Sequence, residues 1–200
     1  MREKGLVHIY CGDGKGKTTA AMGAAVRAAG RGWRVLIARF LKTEDSGEVA
    51  GLSGIPGVTL IPCGRSFGFS WDMSGEQKQE ARAYYTRYFI RAWETAAGPD
   101  GGSAEGGSAD GGGVDAAGPD GGGPCDMLVL DEAVAACNLG FLDEARLIRA
   151  LEARPSHLEV IITGRGPSEA LMAQADYITE MVMRRHPYEK GIGAREGIEY

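Results

Sequence analysis

The chain has 200 residues, with 22 Lys+Arg against 27 Asp+Glu and a formal net charge of −5. That balance lacks the basic excess of a nucleic-acid binder, no run of about 18 apolar residues supports a transmembrane helix, and the opening MREKG lacks the apolar core of a signal peptide. Four cysteines (Cys11, Cys63, Cys125, Cys137) stand far apart with no CxxC pair, which argues against a zinc site or disulfide framework and fits a reduced cytoplasmic setting.

In chain order, residues 6–11 (LVHIYC) read as a strand followed by a Gly-rich turn. Residues 17–29 (KTTAAMGAAVRAA) read as an Ala-rich helix closed by Gly30 and Gly32. Strands are expected over 34–41 (RVLIARFL) and 58–62 (VTLIP). The clearest helix is 74–97. Ser74 with Gln77 makes a capping-box pattern, and Ala81, Tyr84, Tyr85, Tyr88, Phe89, Ala92, Trp93 and Ala96 recur at three- and four-residue spacing. That spacing is one apolar face, read as core packing. Residues 98–124 then hold 12 glycines, no Lys or Arg, and carboxylates at Asp100, Glu105, Asp110, Asp115 and Asp120. With no apolar payload to offset ordering entropy, this segment reads as a disordered surface loop, a tolerated insertion. Without it, 22 acidic and 22 basic residues remain, so the whole negative excess sits there. Residues 126–131 (DMLVLD) form an apolar strand ending in carboxylates, 143–154 a helix stopped by Pro155, and 158–163 (LEVIIT) another strand. A short helix over 167–175 and a last strand over 177–183 follow, and the tail from His186 shows no clear period. Strands alternating with helices predict one domain over 1–200 with a mostly parallel sheet flanked by helices.

The chemistry concentrates between the first strand and first helix, at Gly12-Asp13-Gly14-Lys15-Gly16-Lys17-Thr18-Thr19. This is the P-loop position, which makes the expected fold P-loop (RecA-like). Glycines let successive N–H groups turn toward phosphate oxygens, and the helix N-terminus adds a favourable dipole. Lys17 supplies charge to the phosphates and Thr18 a hydroxyl for Mg²⁺. Cys11 departs from the consensus, which has Gly there. Asp131 and Glu132, at the end of a buried strand, suit Mg²⁺ held directly or through water; capping a helix is the plainer role for such a pair.

Four further segments add specificity: Arg39-Phe40-Leu41-Lys42 with Gly47-Glu48 close behind, Gly68-Phe69-Ser70-Trp71-Asp72, Thr163-Gly164-Arg165-Gly166, and the tail ending Gly197-Ile198-Glu199-Tyr200. In this order, from Gly5 to Tyr200, the chain resembles the P-loop type of cob(I)alamin (corrinoid) adenosyltransferases. The resemblance implies transfer of the 5′-deoxyadenosyl group of ATP to the Co(I) of a reduced corrinoid, with triphosphate leaving, in adenosylcobalamin biosynthesis or salvage. It implies Mg²⁺ held by Thr18, Glu132 and Asp131, with Lys17, Thr18 and Glu132 acting on the leaving group. Gly12 to Thr19 and Arg165 would bind nucleotide, and Phe69 and Trp71 would lie against the corrinoid. A homodimer and an electron-donating flavoprotein reductase are implied as partners, with no nucleic acid and no membrane. Two residues depart from the family pattern: Asp13, where Asn is frequent, and Arg39, where Gln is. A kinase or RecA-like ATPase, releasing ADP, is the alternative enzyme, and a nucleotide-dependent binding module without turnover is a third reading.

Overall fold

The protein is described by a computed structural model covering residues 4–65, 67, 72–98 and 124–199. Phe69, Trp71 and nearly all of the Gly-rich segment lie outside the described residues. Six strands form one sheet: β1 (Val7–Cys11), β2 (Val35–Arg39), β3 (Val58–Ile61), β4 (Met127–Asp131), β5 (Glu159–Thr163) and β6 (Tyr177–Glu180). Their order is β3-β2-β4-β5-β1-β6, and every pairing is parallel. The expected α/β fold with a parallel sheet is what forms, with no antiparallel pair among the described residues.

Helices cover both faces, which is why the central strands read as unbroken apolar runs. Every residue of β2 and β4 is buried. The alternation of side chains then sorts them between two cores. Val35, Ile37, Met127, Val129 and Ile161 pack with Ala21, Met22 and Ala25 of α1 (Lys17–Ala29). On the other face, Leu36, Ala38, Leu128, Leu130, Val160 and Ile162 pack with Tyr85, Phe89 and Trp93 of α3 (Gly75–Ala97). The capping box of α3 forms as its sequence predicts: Ser74 Oγ accepts from the Gln77 N–H, and the Gln77 side chain accepts from the Ser74 N–H.

Several elements differ from expectation. Strand β2 stops at Arg39, because Leu41 turns left-handed at φ 58°. Two short helices were not expected, α2 (Gly47–Ser53) and α4 (Ala133–Asn138). The remaining helices are α5 (Glu144–Glu152), capped by Asp143, and α6 (Glu169–Met172), capped by Ser168 and shorter than the expected 167–175. Strand β6 ends at Glu180 and is exposed along its length, as an edge strand can be. The tail contains a 3₁₀ turn, Pro187–Lys190. No helix among the described residues is long and apolar enough to cross a membrane.

Candidate active site

The carboxyl ends of β1, β2, β4 and β5 converge on one side of the sheet, the side where open α/β sheets bind ligands. A cavity of about 670 Å³ lies there. It is lined by residues 13–19 together with Lys42, Glu48, Glu132, Arg165 and Glu199. Nine of the residues given a site role from the sequence thus share one cavity: Asp13, Gly14, Lys15, Gly16, Lys17, Thr18, Thr19, Glu132 and Arg165. Gly12 makes the turn behind them at φ 100°, and Asp131 lies buried just beneath.

Helix α1 opens at Gly16 (φ 114°) with no side-chain cap and no acidic residue in its first turn. Its uncapped N–H groups and positive dipole end therefore face the cavity, an arrangement suited to an anion. Lys17 folds back over the turn, donating to the carbonyls of Gly12 (2.8 Å) and Gly14 (2.7 Å). Burial lowers the pKa of its ammonium, and the nearby charge of Arg165 adds to that. Lys15 instead reaches the tail, donating to Ile198 O (2.8 Å) and Glu199 Oε1 (2.9 Å).

The Asp13 carboxylate is engaged by the backbone after β6: its Oδ1 accepts from the Met183 N–H at 2.9 Å. That hydrogen bond is the main reason its carboxyl is held below the usual range. An acid at this position thus fastens the segment after β6 to the glycine turn. The Gly14 N–H reinforces the join by donating to Met181 O at 2.6 Å.

The Thr18 hydroxyl donates to Asp131 Oδ1 at 3.0 Å. Thr163 at the end of β5 donates to the same oxygen at 2.7 Å, and its own oxygen accepts from the Glu132 N–H at 2.8 Å. Asp131 is fully buried, and its Oδ2 is ion-paired with the Lys42 ammonium at 2.7 Å. A buried carboxylate beside a threonine hydroxyl offers the hard oxygen ligands that a divalent cation takes, and one of those oxygens already draws a cationic side chain, so this donor set fits Mg²⁺. Glu132 adopts φ 61° and begins α4. Burial raises its carboxyl pKa, with Asp131 as the second cause. Arg165 sits in the turn after β5, where Asn138 Nδ2 donates to Arg165 O (2.8 Å) and Gly166 O (3.2 Å).

Reading the sequence leaves out three contributors. Lys42, Glu48 and Glu199 all stand in segments already singled out, but no local spacing ties any of them to the glycine turn. Glu199 contacts Lys15 across 184 positions, which no local pattern can reveal. Arg39 is not a site residue: its guanidinium is wholly buried below the cavity, 3.1 Å from Glu44 and 2.6 Å from Ser46 Oγ. Phe67 packs edge-on to Tyr84, with ring centroids 5.5 Å apart.

A family model described as ATP:corrinoid adenosyltransferase BtuR/CobO/CobP matches residues 3–200. The chain is 32% identical over 204 residues to a corrinoid adenosyltransferase of Pseudomonas aeruginosa, covering 99% of this chain and 85% of that protein. It is 32% identical to the corrinoid adenosyltransferase CobA of Salmonella typhimurium, over 100% of this chain and 88% of that one. A corrinoid adenosyltransferase of Escherichia coli is 30% identical, with 99% and 87% covered.

Proposed function

The chain belongs to the ATP:corrinoid adenosyltransferase family, and from that membership we propose that it moves the 5′-deoxyadenosyl group of ATP onto the Co(I) centre of a reduced corrinoid. The cobalt electron pair forms a bond to C5′, the C5′–O bond breaks, and triphosphate leaves with that bonding pair. No proton needs to move, so no general base is required. Three of the carboxylates around the cavity are already engaged, in keeping with this. Asp13 is held by the Met183 N–H, Glu48 by Lys42, and Glu199 by Lys15 and Arg195.

The observation that carries the reading is the meeting of the open end of α1 with the Asp131–Glu132 end of β4, in a chain that matches the family over residues 3–200. The turn from Gly12 to Thr19 cradles the triphosphate through backbone N–H groups. Lys15 and Lys17 neutralise it, and Arg165, which lines the same cavity, adds a third positive charge. Thr18, Asp131 and Glu132 would hold Mg²⁺, which when bound spreads the charge of the leaving group. Phe69 and Trp71 face the corrinoid, and the protein works as a homodimer supplied with electrons by a flavoprotein reductase.

The test mixes the protein with ATP, Mg²⁺ and chemically reduced cobalamin. Formation of light-sensitive adenosylcobalamin together with one triphosphate per turnover is the expected result. Release of ADP would replace this reading with a kinase or ATPase, and corrinoid binding without product would leave a binding module.

A further inference from the structure

The oxygens suited to Mg²⁺ already face a positive charge supplied by the chain itself. The Lys42 ammonium lies 2.7 Å from Asp131 Oδ2, 3.1 Å from Thr18 Oγ1 and 3.3 Å from Glu48 Oε1. An ammonium has three N–H donors and no acceptor, and here three oxygens from β4, α1 and α2 meet it. Its side chain is 22% exposed, whereas Asp131 is fully buried.

Lys42 is aimed there by its loop. Leu41, immediately before it, is left-handed at φ 58°. Beneath, the buried Arg39 guanidinium ties the loop together, donating to Thr43 O (3.1 Å) and Ser46 Oγ (2.6 Å) and pairing with Glu44. Glu44 in turn accepts from the Cys63 N–H at 2.7 Å. A loop pinned at four points, with backbone strain beside the lysine, is not the setting of a free surface side chain.

We propose that Lys42 is a resident cation that occupies the metal-ligating oxygens of the nucleotide-free enzyme and is exchanged for the divalent ion when metal and triphosphate arrive together. This rests on the placement of Mg²⁺ at Thr18, Asp131 and Glu132. The physical grounds are charge balance and space. With no nucleotide present, the buried Asp131 carboxylate needs a counter-charge, and Lys42 provides it. An ammonium and a divalent ion cannot share the same two oxygens without strong repulsion. The nucleotide-free protein is therefore a poor binder of divalent ions. The triphosphate changes this by bringing the metal and offering the displaced ammonium new anionic oxygens.

The experiment titrates Mn²⁺ into nucleotide-free protein and follows the free-ion signal by electron paramagnetic resonance. Lys42→Met should bind Mn²⁺ about five- to a thousandfold more tightly than the unmodified chain, the range for a pair of unit charges about 4 Å apart between water-like and protein-like dielectrics. Adding Asp131→Asn to that variant should abolish the gain. Lys42→Gln, which keeps a hydrogen-bond donor but no charge, serves if Lys42→Met does not fold, and should show the same direction. Equal Mn²⁺ affinity with and without the Lys42 charge overturns the proposal. A parallel titration with an unreactive ATP analogue separates this from failure of the metal assignment. If Asp131→Asn leaves nucleotide-dependent Mn²⁺ binding unchanged, the metal lies elsewhere and both readings fall. If it weakens that binding while Lys42→Met has no effect, only the exchange falls.

Discussion

Glu132 bears two costs at one position. Its backbone is left-handed at φ 61°, a conformation that costs a residue with a β-carbon roughly 1–2 kcal/mol. Its carboxyl is buried beside Asp131, and burial, then Asp131, raises its pKa. A carboxyl whose folded pKa lies above the unfolded value stabilises the fold while protonated. That contribution is complete below the unfolded pKa, near 4.5, and is lost as pH rises through the higher folded value. At neutral pH the ionised Glu132 therefore works against the nucleotide-free fold, the usual signature of a residue kept for function. Glu132→Gln should melt at a higher temperature than the unmodified protein at pH 7.5 without nucleotide. The difference should narrow toward pH 5. The same variant should lose about 10²-fold in turnover, the scale for removing one charge-stabilising group. Thermal unfolding at the two pH values checks the first part, and an unchanged or lowered midpoint at pH 7.5 would refute it.

The position of Glu132 depends on how α4 seats against the turn after β5. A β-carbon built on Gly164 would stand 2.6 Å from Val134 Cβ and 3.1 Å from the Ala135 N, and the backbone there has φ 147°. Gly164→Ala must therefore push back the first turn of α4, and Glu132 with it. The expected cost is about 1–3 kcal/mol of stability, seen as a lowered unfolding midpoint. Activity should fall further than the stability loss explains when it is assayed well below that midpoint; full activity there would uncouple the two elements. This contact also marks how far the sequence can be read. The glycine turn, α1 and the buried strands are legible because each carries its own signal: punctuating glycines, an apolar run of strand length, or 3.6-residue periodicity. Helix α3 announces itself through its cap and aromatic stripe. Helix α2 does not, because two glycines dilute its propensity and Leu52 is its only buried residue. Helix α4 escapes notice because its alanine-rich run directly continues a strand, and the left-handed Glu132 that separates them has no preferred residue type. Lys42 and Glu199 reach the cavity only through folding. Arg39 shows the converse: read as a departure within a functional segment, it proves to be the buried tie of the loop that presents Lys42.

At the scale of the molecule, the −5 charge and much of the glycine content belong to residues 98–124. The two ends of that segment meet. The Cys125 N–H donates to Ala96 O in the last turn of α3 at 2.9 Å, and a β-carbon on Gly98 would lie 3.5 Å from Pro124 Cβ. Helix α3 thus hands directly to β4, and the fold on either side does not need the intervening residues to span any distance. The junction also lies at the far end of β4 from the cavity, since β4 starts at Met127 and reaches the site at Asp131. Replacing residues 99–123 with two or three glycine and serine residues should therefore preserve turnover within about twofold. It should also stabilise the protein. Closure entropy changes by about 0.6 kcal/mol for each doubling of loop length, so removing roughly three doublings gives about 1–2 kcal/mol. Because the five carboxylates leave with the segment and the 22 acidic and 22 basic residues that remain cancel, the shortened protein should also elute earlier from an anion exchanger. The comparison is made on one preparation by denaturant unfolding and by the adenosylation assay. A large drop in turnover with stability intact would assign the insertion a part in catalysis. A loss of stability would show that its residues pack on the domain after all.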